Sequence, residues 1–322
     1  MMLARAAENI YWMSRYLERA ENTARLINAA SQVLLDLPRG ASFGWDVLIK
    51  VVGLDREFHA AYAEANEENI LRFLVSDAGN AGSIFSCIAR ARENSRNLRE
   101  VLPAQAWERI NSLYLFVLGE LGGIPGATQR YRLLEEVIAR SQALIGLLSD
   151  CMSHDIAYQF LALGRYIERT DMTTRIVDIN AAVLMPRHQV PEDPSLGLLW
   201  TGVLTSLHAN QMYRRHVSVH TRSGEVLDFL LRDPHFPRTV AYCLNKIEST
   251  LVQLPHHAAP LKVMRTAQRR VDAMRLDNLS PALRHEYLDA IQTDLVQLHD
   301  SVTREYFRPR ETAPAPRHAV AA

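Results

Sequence analysis

Apolar residues recur at intervals of three and four along most of this chain, and no run alternates apolar and polar with β-branched enrichment. That periodicity is the mark of helices with one buried stripe, and it argues against a sheet. Ala, Leu, Arg and Glu, all good helix formers, fill long stretches that contain neither Gly nor Pro. The pattern predicts helices at roughly 3–36, 45–66, 80–101, 104–120, 128–150 and 155–184. It predicts four more at roughly 197–220, 236–254, 258–276 and 280–307.

Breaks are expected at Leu37-Pro38-Arg39-Gly40, at Gly122-Gly123-Ile124-Pro125-Gly126 and across Pro186 to Pro194. Asp233-Pro234 and Ser280-Pro281 read as helix starts, with the polar residue as N-cap and proline in the first turn. Residues 309–322 are rich in Pro and Ala without apolar periodicity, and a disordered tail is expected there.

The chain also resembles itself. Arg15-Tyr16-Leu17-Glu18-Arg19-Ala20-Glu21-Asn22-Thr23-Ala24-Arg25-Leu26 aligns with Arg165-Tyr166-Ile167-Glu168-Arg169-Thr170-Asp171-Met172-Thr173-Thr174-Arg175-Ile176. A second block follows in the same order. Phe73, Leu74, Asp77, Ser83, Ile84 and Cys87 match Phe229, Leu230, Asp233, Thr239, Val240 and Cys243, with Trp45 and Trp200 between the blocks. The offset grows from 150 (Arg15 to Arg165) to 156 (Phe73 to Phe229), which the proline-rich stretch can absorb. The expectation is an all-α bundle of two duplicated halves, 1–150 and 151–308, with a pseudo-twofold relation and the tail 309–322 outside it.

At 100° per residue, Arg15, Glu18, Arg19 and Asn22 share one helix face. Glu21 with Arg25, and Asp171 with Arg175, have the favourable acid-first i,i+4 spacing of a local ion pair. Arg15 with Arg19, and Arg165 with Arg169, are like charges at the same spacing and repel on an isolated helix. Each arginine pair must therefore meet an acid from elsewhere, either the Glu of the other block or a bound anion. The arginine fork suits a carboxylate or a phosphate equally. Arg15, Glu18, Arg19, Arg25, Arg165, Glu168, Arg169, Asp171 and Arg175 are the candidate binding residues, and Glu18 or Glu168 the candidate acid–base catalyst. The competing reading of the same residues is a buried ion-pair network that locks the halves together.

Composition narrows the field. The 36 basic and 36 acidic residues balance, so there is no general attraction to nucleic acid or to an anionic membrane. Three widely spaced cysteines offer neither a disulfide framework nor a CxxC metal site. No run of about 18 apolar residues exists to cross a membrane, and the charged N-terminal stretch is unlike a signal peptide. A cytoplasmic protein is expected. Phosphate-cradling glycine loops, dinucleotide fingerprints and GxSxG elbows are absent, so no cofactor is expected and any ATP is expected on another chain.

Glu18-x-x-Glu21 and Glu168-x-x-Asp171 could face each other around a metal, but both lack the histidine of a Glu-x-x-His iron site and are crowded by arginines. His216 and His220 have i,i+4 spacing without the Glu of an HExxH motif. Cys151, His154 and Asp155 offer a thiol, an imidazole and a carboxylate close in sequence, which is no guarantee of closeness in space. The polar run from Ala91 to Glu100 reads as a solvated or inter-helix face.

The start of the chain, Leu3-Ala4-Arg5-Ala6-Ala7-Glu8-Asn9-Ile10-Tyr11-Trp12 through Arg25, resembles the opening of bacterial alpha-E proteins. Leu163-Gly164-Arg165-Tyr166-Ile167-Glu168-Arg169 resembles their second Glu-Arg element, and Ala91-Arg92-Glu93-Asn94 with Trp107-Glu108 also fits. The resemblance covers nearly all of the chain except the tail. It implies helices and a Glu-Arg motif, here Glu18-Arg19 and Glu168-Arg169. It also implies a circularly permuted ATP-grasp protein as partner, often with a transglutaminase-like protease, in a peptide-ligating or peptide-modifying system. An accessory binding subunit is the leading expectation. An independent Glu/Arg enzyme acting on peptides and a structural scaffold are the rivals.

Overall fold

The computed structural model describes residues 2–36, 44–121, 126–183, 194–274 and 281–308. The expected tail, Ser280, and most of the predicted breaks at 37–40, 122–126 and 186–194 lie outside these residues. Among the described residues all regular structure is helical. The first series is α1 (Ala4–Asp36), α2 (Asp46–Val52), α3 (Asp55–Ala61), α4 (Glu67–Val75), α5 (Ile84–Arg96), α6 (Ala104–Gly119) and α7 (Ala127–Cys151). The second is α8 (Ile156–Val183), α9 (Pro194–Ser206), α10 (Asn210–His216), α11 (Ser223–Arg232), α12 (Val240–Leu251), α13 (Ala258–Ala273) and α14 (Pro281–Val302), closing with a π-helical turn at Thr303–Phe307.

Helices α1 and α8 are the two long central members, and they pack on each other. Helix α1 buries Ile10, Tyr11, Met13, Leu17, Ala20, Ala24 and Ile27, more of its circumference than one amphipathic stripe. The other helices flank the pair. Helix α1 carries α5, α7 and α9, while α8 carries α12, α14 and α2. Helices α2 and α9 therefore each pack on the central helix of the other series. Helix α5 against α1, with α4 packed on α5, and α11 and α12 against α8, hold the loops that matter below.

Close approach of α1 and α8 depends on Gly164, where a Cβ would be driven into the carbonyl of Tyr11.

Several predicted boundaries are corrected. The helix expected at 45–66 is broken at Gly53, whose φ of 70° ends α2 with Gly53 N–H donating to Lys50 O and Leu54 N–H donating to Ile49 O. The helix expected at 197–220 breaks in the same way at His208, φ 51°, with bonds from His208 N–H to Thr205 O and Ala209 N–H to Leu204 O. Histidine there adopts a left-handed conformation that costs roughly 1–2 kcal/mol, so packing around it outweighs local preference.

Asp233-Pro234 does not start a helix. Asp233 caps a turn through His235 N–H and Phe236 N–H, and α12 begins at Val240 with Thr239 as its N-cap. Helices α4 and α11 were not expected. Each is short, with its apolar residues (Ile70, Leu71, Phe73 and Leu74 in α4) buried against the core, and helices of that length are held by packing more than by propensity.

Candidate functional site

The Glu-Arg motifs meet at the crossing of α1 and α8. The Glu168 carboxylate, on α8, accepts Arg19 Nε at 2.6 Å, Arg19 Nη2 at 2.9 Å and Arg15 Nε at 2.8 Å. The Glu18 carboxylate, on α1, accepts Arg169 Nε at 2.7 Å and Arg169 Nη2 at 2.8 Å, with Arg165 Nε 3.6 Å away. The arrangement is reciprocal: each glutamate is gripped by the arginines of the other central helix. Here lies the acid that the like-charged pairs require, and it is the glutamate of the other block. The local pairs form too, Arg25 on Glu21 at 2.6 Å and Arg175 on Asp171 at 2.8 Å.

Sequence reasoning missed Arg238. From the loop before α12 it donates to Asn22 Oδ1 at 2.7 Å, Glu21 Oε1 at 2.7 Å and Glu18 Oε1 at 3.4 Å. The surrounding backbone holds it, since Thr173 donates to its carbonyl and Arg169 Nη1 donates to the carbonyl of Pro237. A lone loop arginine carries no helical pattern. The only sequence signal is its position in the second repeated block, where the first block has Gly82.

The electrostatics follow from burial and company. Burial by itself would raise the Glu168 carboxyl, but Arg19 and Arg15 outweigh it and bring its pKa down to about 2. Glu18, equally buried, is held well below the usual carboxylate range by Arg169, Arg238 and Arg165. Both are fixed as carboxylates near neutral pH, and neither has a proton to donate there. Burial, with Arg169 beside it, lowers Arg238 to about 10 against the pull of Glu21 and Glu18, so it stays a cation at pH 7.

Tyr11 closes one end of the network, accepting Arg15 Nη1 at 3.3 Å and bonding His299 Nδ1 at 3.0 Å.

Beside the Glu168 half opens a cleft of about 580 Å3. Arg19, Glu168, Asp171 and Arg175 line one wall, and Gly53 and the 79–82 loop line the other. Of the candidate binding residues, these four reach the cleft. Glu18, Arg25 and Arg169 are buried inside the bundle.

The remaining sequence candidates have local tasks. His216 ends α10 and His220 lies beyond it, so the helical i,i+4 geometry does not form. Asp155 accepts the N–H groups of Ala157 and Tyr158 at the start of α8, His154 stacks on Tyr158, and Cys151 is exposed at the end of α7. In the polar run, Arg92 docks α5 on α6 by donating to Asn111 and lying over Trp107 and Tyr114. No group of three or more His, Cys, Asp or Glu that could hold a metal occurs among the described residues. No helix among them is long and apolar enough to cross a membrane.

Fold and site together define an all-helical domain closed by a reciprocal Glu–Arg interlock between its two longest central helices. The chain belongs to the Alpha-E family, described as a predicted alpha-helical domain with a conserved ER motif, which matches residues 2–307. It is 24% identical over 320 residues to the uncharacterized protein Mb2597 of Mycobacterium bovis, a match covering 91% of this chain and 34% of that one. It is 23% identical, with the same coverage, to the uncharacterized protein Rv2567 of Mycobacterium tuberculosis. The chain thus spans about a third of the length of these curated relatives. No solved structure matches it.

Proposed function

We propose that the chain is an accessory, binding subunit of an ATP-grasp-linked peptide-ligating or peptide-modifying system, and that its Glu–Arg motifs form the interlock that holds a recognition cleft in shape. The observation that carries this reading is the saturation of the motif. Glu18 and Glu168 are buried, each gripped by at least two arginines and held ionised, so the motif offers a rigid frame instead of an exchangeable proton. The arginines are likewise occupied by carboxylates of this chain, which leaves little positive charge for an anionic peptide group. The relatives support a unit that works beside others, since a match to this chain accounts for only 34% of their length. The partner, a circularly permuted ATP-grasp protein and in some systems a transglutaminase-like protease, is what the resemblance supplies.

We also propose that residues 1–150 and 151–308 are copies of one unit with a pseudo-twofold relation. The support is the exchanged packing of α2 and α9 and the reciprocal pairing of Glu18 and Glu168.

The test is to purify the chain and the ATP-grasp protein of the same genome, measure complex formation by calorimetry, and assay peptide ligation with each alone and with both. A complex whose ATP-dependent ligation exceeds that of the ATP-grasp protein alone, with no turnover by this chain alone, is the expected result. Turnover of peptides by this chain alone, or the lack of any complex, would overturn the proposal.

A further inference from the structure

The loops before α5 and α12 are built alike. In one, Asp77 Oδ1 accepts Gly79 N–H, Ser83 Oγ donates to Asp77 O and accepts Ser86 N–H, and Cys87 Sγ points at Ala81 O. In the other, Asp233 Oδ1 accepts His235 N–H, Thr239 Oγ1 donates to Asp233 O and accepts Tyr242 N–H, and Cys243 Sγ points at Pro237 O. Every partner is displaced by 156 residues. The loops differ at one decisive position: Arg238 in the second stands where Gly82 stands in the first.

Arg238 turns inward and fills the space beside Glu18, Glu21 and Asn22. The residues at the matching places on α8 are Glu168, Asp171 and Met172, and all three line the open cleft, as does Gly82. The cleft exists where the first loop lacks the side chain that the second possesses.

We propose that this cleft receives a guanidinium group from outside the chain, an arginine side chain of a peptide or protein segment, in the place that Arg238 takes on the other side. Charge agrees. Glu57, Asp77, Glu168 and Asp171 face the cleft against Arg19 and Arg175, with Arg15 behind Glu168, an excess of one acid. The Asp171 side chain keeps 20% of its surface in water where its counterpart Glu21 keeps 3%, so a carboxylate edge remains to be covered. A planar fork can contact Glu168 and Asp171 together, which a neutral side chain of the same shape cannot do with equal strength. Met172 supplies a soft apolar wall where Asn22 supplies an acceptor. At about 580 Å3 the space is within the roughly 300–1,000 Å3 of ordinary ligand clefts. The inference rests on reading the cleft as the recognition surface, and it names the chemistry recognised there.

Calorimetric titration of the full chain with N-acetyl-arginine amide, its uncharged isostere N-acetyl-citrulline amide, and the anion N-acetyl-glutamate amide tests it. Saturable binding of the arginine compound is expected, with the citrulline compound weaker by about tenfold or more, the loss of one charge-assisted contact. Asp171→Asn weakens arginine binding by a similar factor. Gly82→Arg abolishes it by installing the internal plug, and the new Cβ meets only Asn80 Oδ1 and Leu54 Cδ1, both at 3.3 Å. Met172→Asn, which restores the third acceptor, tightens it and keeps the test independent of whether the plugged variant folds. Equal binding of arginine and citrulline, preference for the glutamate compound, or no arginine binding overturns the inference. If any of these occurs while the ATP-grasp complex still forms, the subunit reading survives; arginine binding without the complex overturns that reading alone.

Discussion

Replacing Glu18 or Glu168 by glutamine keeps shape and removes one charge, and the surroundings make the two losses unequal. Glu18 is enclosed by Arg169 and Arg238, whose side chains are 4% and 9% exposed, with Arg165 close by. Removing one member of a buried pair costs about 3–5 kcal/mol because the partners stay charged, desolvated and mutually repulsive. Glu18→Gln belongs in the upper part of that range. The arginines on Glu168 are 11% and 28% exposed, so water can take up part of their charge. Glu168→Gln should then cost about 2 kcal/mol, between the value of a buried pair and that of a surface pair. Against a total stability of about 5–15 kcal/mol, the Glu18 variant loses a large share.

Urea unfolding followed by circular dichroism at pH 7 measures both. Adding Arg169→Met to Glu18→Gln should restore part of the loss, because one fewer cation crowds the amide; a double-mutant cycle reads that coupling. The pH dependence has a fixed sign. A carboxyl depressed from its ordinary value to about 2 stabilises the fold fully above pH 4.5 and loses that effect as pH falls through 2. The advantage of wild type over Glu168→Gln should be constant down to about pH 4.5 and shrink below it. A Glu18→Gln loss under about 1 kcal/mol, the worth of a solvated pair, would refute the interlock, as would a larger loss at Glu168 than at Glu18.

Gly164→Ala forces α1 and α8 apart at Tyr11 and should destabilise by about 1–3 kcal/mol in the same unfolding assay, whereas Gly224→Ala, where a Cβ meets open space, should stay within about 0.5 kcal/mol of wild type. His299 is held neutral by burial, with Arg15 nearby, and its pKa falls to about 4. Its depressed pKa means the unfolded chain binds the proton first, so stability should decline as pH drops from 6.5 to 4, and His299→Gln should flatten that part of the profile. Burial pushes the thiols of Cys87 and Cys243 up to about 12 and about 11, despite Arg19 and Arg169 beside them, while Cys151 is exposed. A thiol reagent at pH 8 should titrate one cysteine in the native protein and all three after denaturation.

What the sequence determined is what neighbours along the chain decide. Helix content follows from propensity and the three-and-four spacing of apolar residues, and α1 runs from Ala4 to Asp36 because nothing within it breaks a helix. The pairs Glu21–Arg25 and Asp171–Arg175 are legible because i,i+4 partners touch on any helix. Even the need for an outside acid at Arg15 and Arg19 is local, since two like charges on one face must be balanced.

Which acid answers them was decided by the tertiary structure. Arg19 and Glu168 are 149 residues apart, and only the packing of α1 on α8 brings them to 2.6 Å. Arg238 entered the network for the same reason, from a loop with no periodicity to betray it. The break at Gly53 had a local sign, since glycine takes the left-handed cap without steric cost, but the one at His208 was hidden, because a left-handed histidine is held by what packs on it. The cleft is the clearest case. It is made by a side chain that Gly82 lacks, and an absent side chain defines a space only when the surrounding helices are in place.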